Sequence, residues 1–187
     1  MMLDNARAQK SRAREEGSRI THTTAMIILK ANFGEAAMIR EFKFEDEMHT
    51  TLACVPMAVR RKLDRVGVKI GLEQWQALAR GERLAICHLP VERHDEREAL
   101  KLFINEAVRR VCGEEPRTLA EAHRAVADPP VKLPAQLAER ARAAGVALDQ
   151  AAWERLDADE RYALIKLGGG AEVSHNLAAA LAEFVQR

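Results

Sequence analysis

Two Glu-Arg pairs, Glu82-Arg83 and Glu160-Arg161, are the residues whose type and spacing best suit the binding of an anion. Arginine presents a planar fork of N–H donors that matches a carboxylate or a phosphate group. In one interpretation, Arg83 and Arg161 face an anionic ligand or a carboxylate of a partner. In the other, each glutamate caps the start of a helix, and each arginine pairs locally or with the other half of the molecule.

A metal or nucleophile site is suggested only by the adjacent pair Cys87-His88, with His94 nearby. Its spacing does not match the usual structural zinc patterns, which favours a buried thiol beside a surface imidazole. The remaining cysteines, Cys54 and Cys112, complete no Cys-x-x-Cys pair. We expect no metal centre, no cofactor and no disulfide framework. Because the sequence also lacks a Ser-His-Asp order, a zinc-protease motif and a dinucleotide fingerprint, we do not expect an enzyme.

His175-Asn176 follows three consecutive glycines at 168–170 and precedes an apolar helical pattern. A glycine-rich loop that enters a helix N-terminus can receive an anion, so His175 and Asn176 are candidate binding residues. The loop lacks the strand, lysine and spacing of a phosphate-binding loop. A flexible hinge is the alternative.

The two tryptophans, Trp75 and Trp153, are possible stacking platforms for a ligand or a partner loop. Leu78 and Leu156 follow them at a helical spacing of three residues, which favours a place in the core. One tyrosine and no interleaving of aromatic with basic residues give little support to a nucleic-acid interface.

The two Glu-Arg pairs and the two tryptophans belong to an internal repeat. A shift of 78 residues, which brings Pro56 onto Pro134, aligns 56–89 with 134–167 without a gap, and nine of the 34 positions are identical. Average composition gives only about two or three identities. The identical pairs are Pro56/Pro134, Gly67/Gly145, Val68/Val146, Trp75/Trp153, Leu78/Leu156, Glu82/Glu160, Arg83/Arg161, Ala85/Ala163 and Leu89/Leu167. We predict two tandem helical units, a first segment (55–89) and a second segment (133–167), with a pseudo-twofold relation in one all-α domain.

Each segment is expected to begin with a helix between a proline and a glycine. Pro56 and Pro134 suit a first helical position, where the missing N–H has no bond to lose. Gly67 and Gly145 suit the left-handed conformation that closes a helix. Glu82 and Glu160 are expected to support the start of a third helix in each segment.

Outside the repeat, the pattern predicts linking helices within 95–126 and a C-terminal helix at 174–186 with Ser174 as its N-cap. Residues 1–40 show no apolar stripe over most of their length and are expected to form a flexible extension, with the domain at 41–187. The net charge of +1 calls for neither nucleic acid nor an anionic membrane, and no apolar run is long enough for a membrane span. We expect a cytoplasmic protein.

A set of motifs along the chain resembles the nitrate reductase-associated protein family. The motifs are Phe42-x-Phe44-Glu45, Leu52-x-Cys54-x-Pro56-Met57-x-Val59-Arg60-x-Lys62-Leu63-Asp64-x-x-Gly67, Trp75, Glu82-Arg83, Trp153, Arg161 and Ala163-Leu164-Ile165-Lys166-Leu167. They cover about residues 42–186. The resemblance implies a non-catalytic accessory or maturation factor that binds assimilatory nitrate reductase, a molybdopterin and iron-sulfur enzyme. It implies no catalytic residue.

Four cations are the expected binding residues for such a partner: Arg60, Lys62, Arg83 and Arg161. The alternative is a module that holds a small ligand or a metal, such as a cofactor precursor or a nitrogen metabolite, in a cleft between the repeats. That function needs a pocket where arginine and histidine side chains converge. The sequence predicts no oligomeric state.

Overall fold

The computed structural model describes residues 40–170 and 172–186, which are mostly α-helical. The predicted extension at 1–40 lies outside these residues except for Arg40. The helices are α1 Asp46–Thr51, α2 Met57–Val66, α3 Leu72–Ala77, α4 Arg80–His88, α5 His94–Cys112, α6 Glu121–Arg124, α7 Ala135–Ala143, α8 Gln150–Arg155, α9 Ala158–Gly168 and α10 Leu177–Val185. The helical class predicted from the composition is therefore confirmed.

The largest differences from the sequence prediction lie before residue 128 and at the last helix. The short helix expected before residue 126 is restricted to α6 and a following 3-10 turn, Ala125–Ala127, because Arg117–Thr118 form a strand, β2, that pairs antiparallel with β1, Val68–Lys69. The last helix begins at Leu177, whereas Ser174 as its N-cap would make residue 175 the first helical position. Ser174 Oγ instead accepts a hydrogen bond from the Asn176 N–H in the turn before the helix.

The first hydrophobic core surrounds Trp75, whose side chain is fully buried. α2, α4 and α5 supply most of it through their apolar faces, and α3 contributes Trp75 itself. Its buried residues include Val59, Leu63, Val66, Leu78, Ile86, Leu100, Ile104 and Val108. This core lies around the first segment and the long linking helix.

The second hydrophobic core surrounds Trp153, which is also fully buried. α7, α8, α9 and the C-terminal α10 contribute most of it. Its buried residues include Phe42, Leu137, Leu148, Leu156, Tyr162, Leu164, Leu167, Leu177, Leu181 and Phe184. The phenylalanines at 42 and 184 meet edge to face, with ring centroids 5.1 Å apart, so the start of the described chain packs on its last helix.

The prolines and glycines of the repeat lie at helix ends. Pro56 and Pro134 each occupy the N-cap, one residue before the predicted position. Gly67 and Gly145 adopt φ values of +73° and +77°, the left-handed conformation expected at the end of a helix. Both glycine predictions are therefore confirmed.

The tryptophans bond to equivalent carbonyls. Trp75 Nε1 donates to the Leu52 carbonyl at 2.8 Å, and Trp153 Nε1 donates to the Pro130 carbonyl at 3.1 Å. The bond spans 23 residues in both cases. Because a buried indole N–H needs an acceptor, each tryptophan ties its segment to the chain that precedes it.

Candidate functional site

A surface groove of about 490 Å³ lies where the first segment, the second segment and the linking chain meet. We call it the central groove. The apolar residues that line it include Met48, Cys54, Val55, Ile70, Leu119 and Leu167. The polar residues include Arg60, Asp64, Lys69, His123, Tyr162 and Lys166. The groove therefore joins an apolar floor to a set of charged groups.

Two helices present the polar groups by the same spacing. Arg60 and Asp64 lie four residues apart on α2, and Tyr162 and Lys166 lie four residues apart on α9. Side chains at i and i+4 share one face of a helix, so each helix turns both of its polar residues toward the groove.

Asp64 joins the two helices by polar contacts. The Tyr162 hydroxyl donates to Asp64 Oδ2 at 2.7 Å, and Lys166 Nζ lies 2.7 Å from the same oxygen. Burial, followed by the nearby Asp64 charge and this hydrogen bond, raises the pKa of the Tyr162 phenol. Tyr162 therefore stays protonated and serves as a donor, and the Asp64 carboxylate is already used within the fold.

Glu45 is a second carboxylate used by the fold. Its two oxygens accept from the Met57 N–H at 3.1 and 3.0 Å, at the start of α2, where a helix favours negative charge. Glu45 is only 3% exposed, and burial raises its pKa, while the bond from Met57 and the nearby Arg60 act in the opposite direction. The groove's acidic residues therefore face partners that the chain itself supplies.

The groove's cations have more donors than the described chain uses. Arg60 donates through Nε to the Val55 carbonyl at 3.1 Å, and its other guanidinium nitrogens have no acceptor among the described residues. Lys69 and His123 are exposed, and no described residue bonds to either side chain. An anion that enters the groove finds Arg60, Lys69 and His123 available.

Arg83 and Arg161, both predicted to bind, lie outside the lining of the central groove. Arg83 donates to the Leu52 carbonyl at 2.8 Å, the same oxygen that Trp75 uses. Arg161 donates to the Trp153 and Glu154 carbonyls and lies over the Trp153 ring. The two guanidinium groups thus hold backbone around the tryptophans, as the local-pairing interpretation expects.

The glutamates of the same pairs cap helices. Glu82 accepts from the Ala79 N–H, and Glu160 accepts from the Asp157 N–H, each at 2.9 Å. Glu160 is only 2% exposed and also accepts from Arg40 at 2.8 Å. The capping interpretation of both glutamates agrees with these bonds.

Lys62, the fourth predicted cation, does not line the groove either. Its Nζ donates to the Cys87 and Leu89 carbonyls at the end of α4. Burial lowers the pKa of Lys62, and the largest opposing effect is that of Cys87. In the second segment, Arg140 donates to the Gly168 and Gly170 carbonyls, so the equivalent residue covers the end of α9 in the same way.

The two residues after the glycine loop have different surroundings. Asn176 lines the central groove, whereas His175 is exposed and does not. Of the six predicted binding residues, the groove therefore collects Arg60 and Asn176.

Cys87 is buried, and burial raises the pKa of its thiol to about 11. The described residues contain no group of three or more histidine, cysteine or acidic side chains able to hold a metal. Within the same part of the chain, no helix has the length and apolar character needed to cross a membrane.

The sequence does not predict a binding role for the groove's most connected residues, which are Asp64, Tyr162 and Lys166. None of the three is identical in the two segments, so the internal repeat does not single them out. A lone acid within the apolar pattern of α2, and the chain's single tyrosine within α9, were the available signals. Lys69 and His123 give no such signal, because exposed basic residues at a strand end or in a short helix are common.

The fold and the groove define a mostly helical protein with a mixed apolar and cationic surface site. The model of the family described as "conserved nitrate reductase-associated protein" matches residues 41–184. The chain therefore belongs to the nitrate reductase-associated protein family, as its motifs indicated. No curated protein and no solved structure matches the chain.

Proposed function

We propose that this protein is a non-catalytic accessory or maturation factor that supports assimilatory nitrate reductase in the cytoplasm by binding to it. The observation that carries the proposal is family membership over residues 41–184. A protein that binds one conformation of an enzyme more tightly than the others raises the population of that conformation. Selective binding of a cofactor-competent reductase would therefore be sufficient for the function.

The test is a strain that lacks this gene and grows on nitrate, in which reductase activity, reductase protein and molybdenum content are measured together. We expect activity to fall while reductase protein remains. Lower molybdenum per reductase would assign the effect to cofactor insertion, and normal molybdenum to a later step. Unchanged activity would contradict the proposal.

A small-ligand module is the second candidate, and the central groove is the observation that favours it. Arg60 and His123 both line it, and that function requires arginine and histidine side chains in one pocket. Equilibrium dialysis against radiolabelled cofactor precursor and against nitrogen metabolites tests it, with Arg60→Ala as the groove variant. Binding that Arg60→Ala abolishes supports this function, and an absence of binding in the wild type rejects it.

We also propose that the two segments form tandem repeats with a pseudo-twofold relation. The equivalent tryptophan bonds, glutamate caps and left-handed glycines support this relation. Superposition of 56–89 on 134–167 in a crystal structure tests it. The proposal requires the Cα atoms to agree over the three helices under a rotation near 180°.

A further inference from the structure

We propose that the central groove binds an acidic segment of the partner protein, in which a carboxylate side chain neighbours a large apolar side chain. This inference rests on the proposed function and deepens it, because it assigns the docking surface and the chemistry of the partner. Of the four cations predicted from the sequence, Arg60 lines this surface, and Lys62, Arg83 and Arg161 do not.

The charge of the groove selects an acidic partner. Asp64 is held by Tyr162 and Lys166, and Glu45 accepts from the Met57 N–H. The carboxylates are therefore occupied, whereas Arg60 and Lys69 keep donors that no described residue uses. A basic or neutral segment would leave these cations without partners as it displaced their water, and an acidic one would pair with them.

The apolar part of the groove selects a large side chain beside the carboxylate. Val55, Ile70 and Leu167 are buried in its floor, and Met48 and Leu119 are half-buried at its walls. Transfer of an apolar side chain from water onto such a floor is favourable in proportion to the area covered, and methionine adapts its shape to what it contacts. A peptide segment supplies both the anion and the apolar group at fixed spacing.

The helices α1, α2, α6 and α9 supply lining residues, and they leave the groove open to solvent. Small-molecule sites generally bury about 70–90% of their ligand. An open groove with cations at its side is better suited to a segment that is held on a larger partner surface. A small ligand is the outcome that the experiments below distinguish.

The first experiment measures the affinity of the full-length protein for purified holo nitrate reductase of the same host by biolayer interferometry. Lys69→Glu places a negative charge in the groove, and Lys132→Glu makes the same change at an exposed lysine outside its lining. We expect Lys69→Glu to weaken binding at least about fivefold and Lys132→Glu to change it less than about twofold. Arg60→Ala should weaken binding as well, and Arg60→Lys should restore part of the loss.

The dependence of the affinity on ionic strength is a further test. An increase in ionic strength should weaken wild-type binding more than Lys69→Glu binding, because the variant has lost part of the attraction that salt screens. If the wild type binds the reductase and both lysine variants bind equally well, the inference is overturned while the proposed function stands. If the wild type does not bind at all, the proposed function itself fails.

The second experiment uses native thiols as reporters of the covered surface. Cys54 lines the groove and is half-buried, whereas Cys112 is exposed at the end of α5 and does not line it. Saturating reductase should slow modification of Cys54 by N-ethylmaleimide at least about fivefold and leave Cys112 unchanged. Equal rates with and without reductase overturn the inference. Protection of Cys54 by free citrate but not by reductase would assign the groove to a small anion and overturn it too.

Discussion

The first and second segments share the residues that build the fold and differ in the residues that form the groove. Trp75 and Trp153 are both buried and donate to equivalent carbonyls. Lys62 and Arg140, at equivalent positions, both cover the end of a helix. These residues, which have the same role in both segments, therefore serve the fold.

The groove arises where the equivalence ends. The positions of Arg60 and Asp64 in the first segment are taken by Ala138 and Arg142 in the second. Those of Tyr162 and Lys166 in the second segment are taken by Leu84 and His88 in the first. Each segment thus contributes a polar pair that its counterpart lacks, so the groove draws on both segments.

Removal of either tryptophan should produce the largest loss of stability. Trp75→Ala and Trp153→Ala each remove a fully buried side chain, leave a large cavity and remove the indole hydrogen bond to the preceding chain. We expect each to lower the free energy of unfolding by about 3–5 kcal/mol, measured by urea denaturation. A near-neutral result for one of them would break the structural equivalence of the segments.

Tyr162→Phe tests the polar link that only the second segment provides. It removes one partner of Asp64 and adds no volume, so we expect a loss of about 1–2 kcal/mol in the free energy of unfolding. Leu84 occupies the equivalent position in the first segment and is 37% exposed, and Leu84→Ala is the comparison. An equal loss in both variants would show that the Asp64 contact adds nothing specific.

The left-handed glycines give a finer comparison. Gly67→Ala and Gly145→Ala should each cost about 1 kcal/mol, because alanine is strained at positive φ. A Cβ at Gly67 would lie 3.0 Å from Arg124 Nε, whereas a Cβ at Gly145 would have no atom within 4 Å. We expect Gly67→Ala to cost slightly more in thermal denaturation. The opposite order would show that the Arg124 side chain moves away freely.

Lys62 should give the fold a small pH dependence. Its pKa is lowered in the folded protein from the ordinary 10.5. Between the pKa of Lys62 in the folded protein and its ordinary value of 10.5, the unfolded chain binds more protons than the folded chain. The contribution of Lys62 to the free energy of unfolding therefore increases as pH rises toward 10.5. The stability of the wild type relative to Lys62→Met should therefore increase across that range. The same series with Lys132→Met, an exposed site, should be flat.

The smallest effect concerns Cys87, which stands where the second segment has Ile165. Burial raises the pKa of the Cys87 thiol to about 11. Iodoacetamide should therefore leave Cys87 unmodified near neutral pH in the native protein, and the stability of the treated protein should not change. Mass spectrometry should detect its modification only in denaturant. Rapid native labelling would show that the first core opens locally.

Much of the fold followed from the sequence because proline, glycine and apolar spacing act locally. Gly67 and Gly145 adopt the predicted left-handed conformation, and the long helix α5 begins within a residue of the region predicted for the linking helices. β2 could not be anticipated, since a two-residue strand depends on a distant partner, Val68–Lys69. The late start of α10 reflects a local turn at Ser174 that competes with its predicted role as a cap.

The site was less accessible to sequence reasoning. Arg60, a predicted binding residue, lies in the groove, whereas Arg83 and Arg161, predicted from their recurrence, hold backbone around the tryptophans. Asp64 and Tyr162 are 98 residues apart, and only the packing of α2 on α9 brings them together. Residues that recur in both segments support the fold in this protein. The polar pairs of the groove do not recur.

The most direct test of this account is nitrate reductase activity in a strain that lacks the gene and carries wild type, Lys69→Glu or Lys132→Glu at equal protein levels. The account predicts that wild type and Lys132→Glu restore activity on nitrate and that Lys69→Glu restores clearly less. Full restoration by Lys69→Glu would contradict it, because the central groove would then have no part in supporting the reductase.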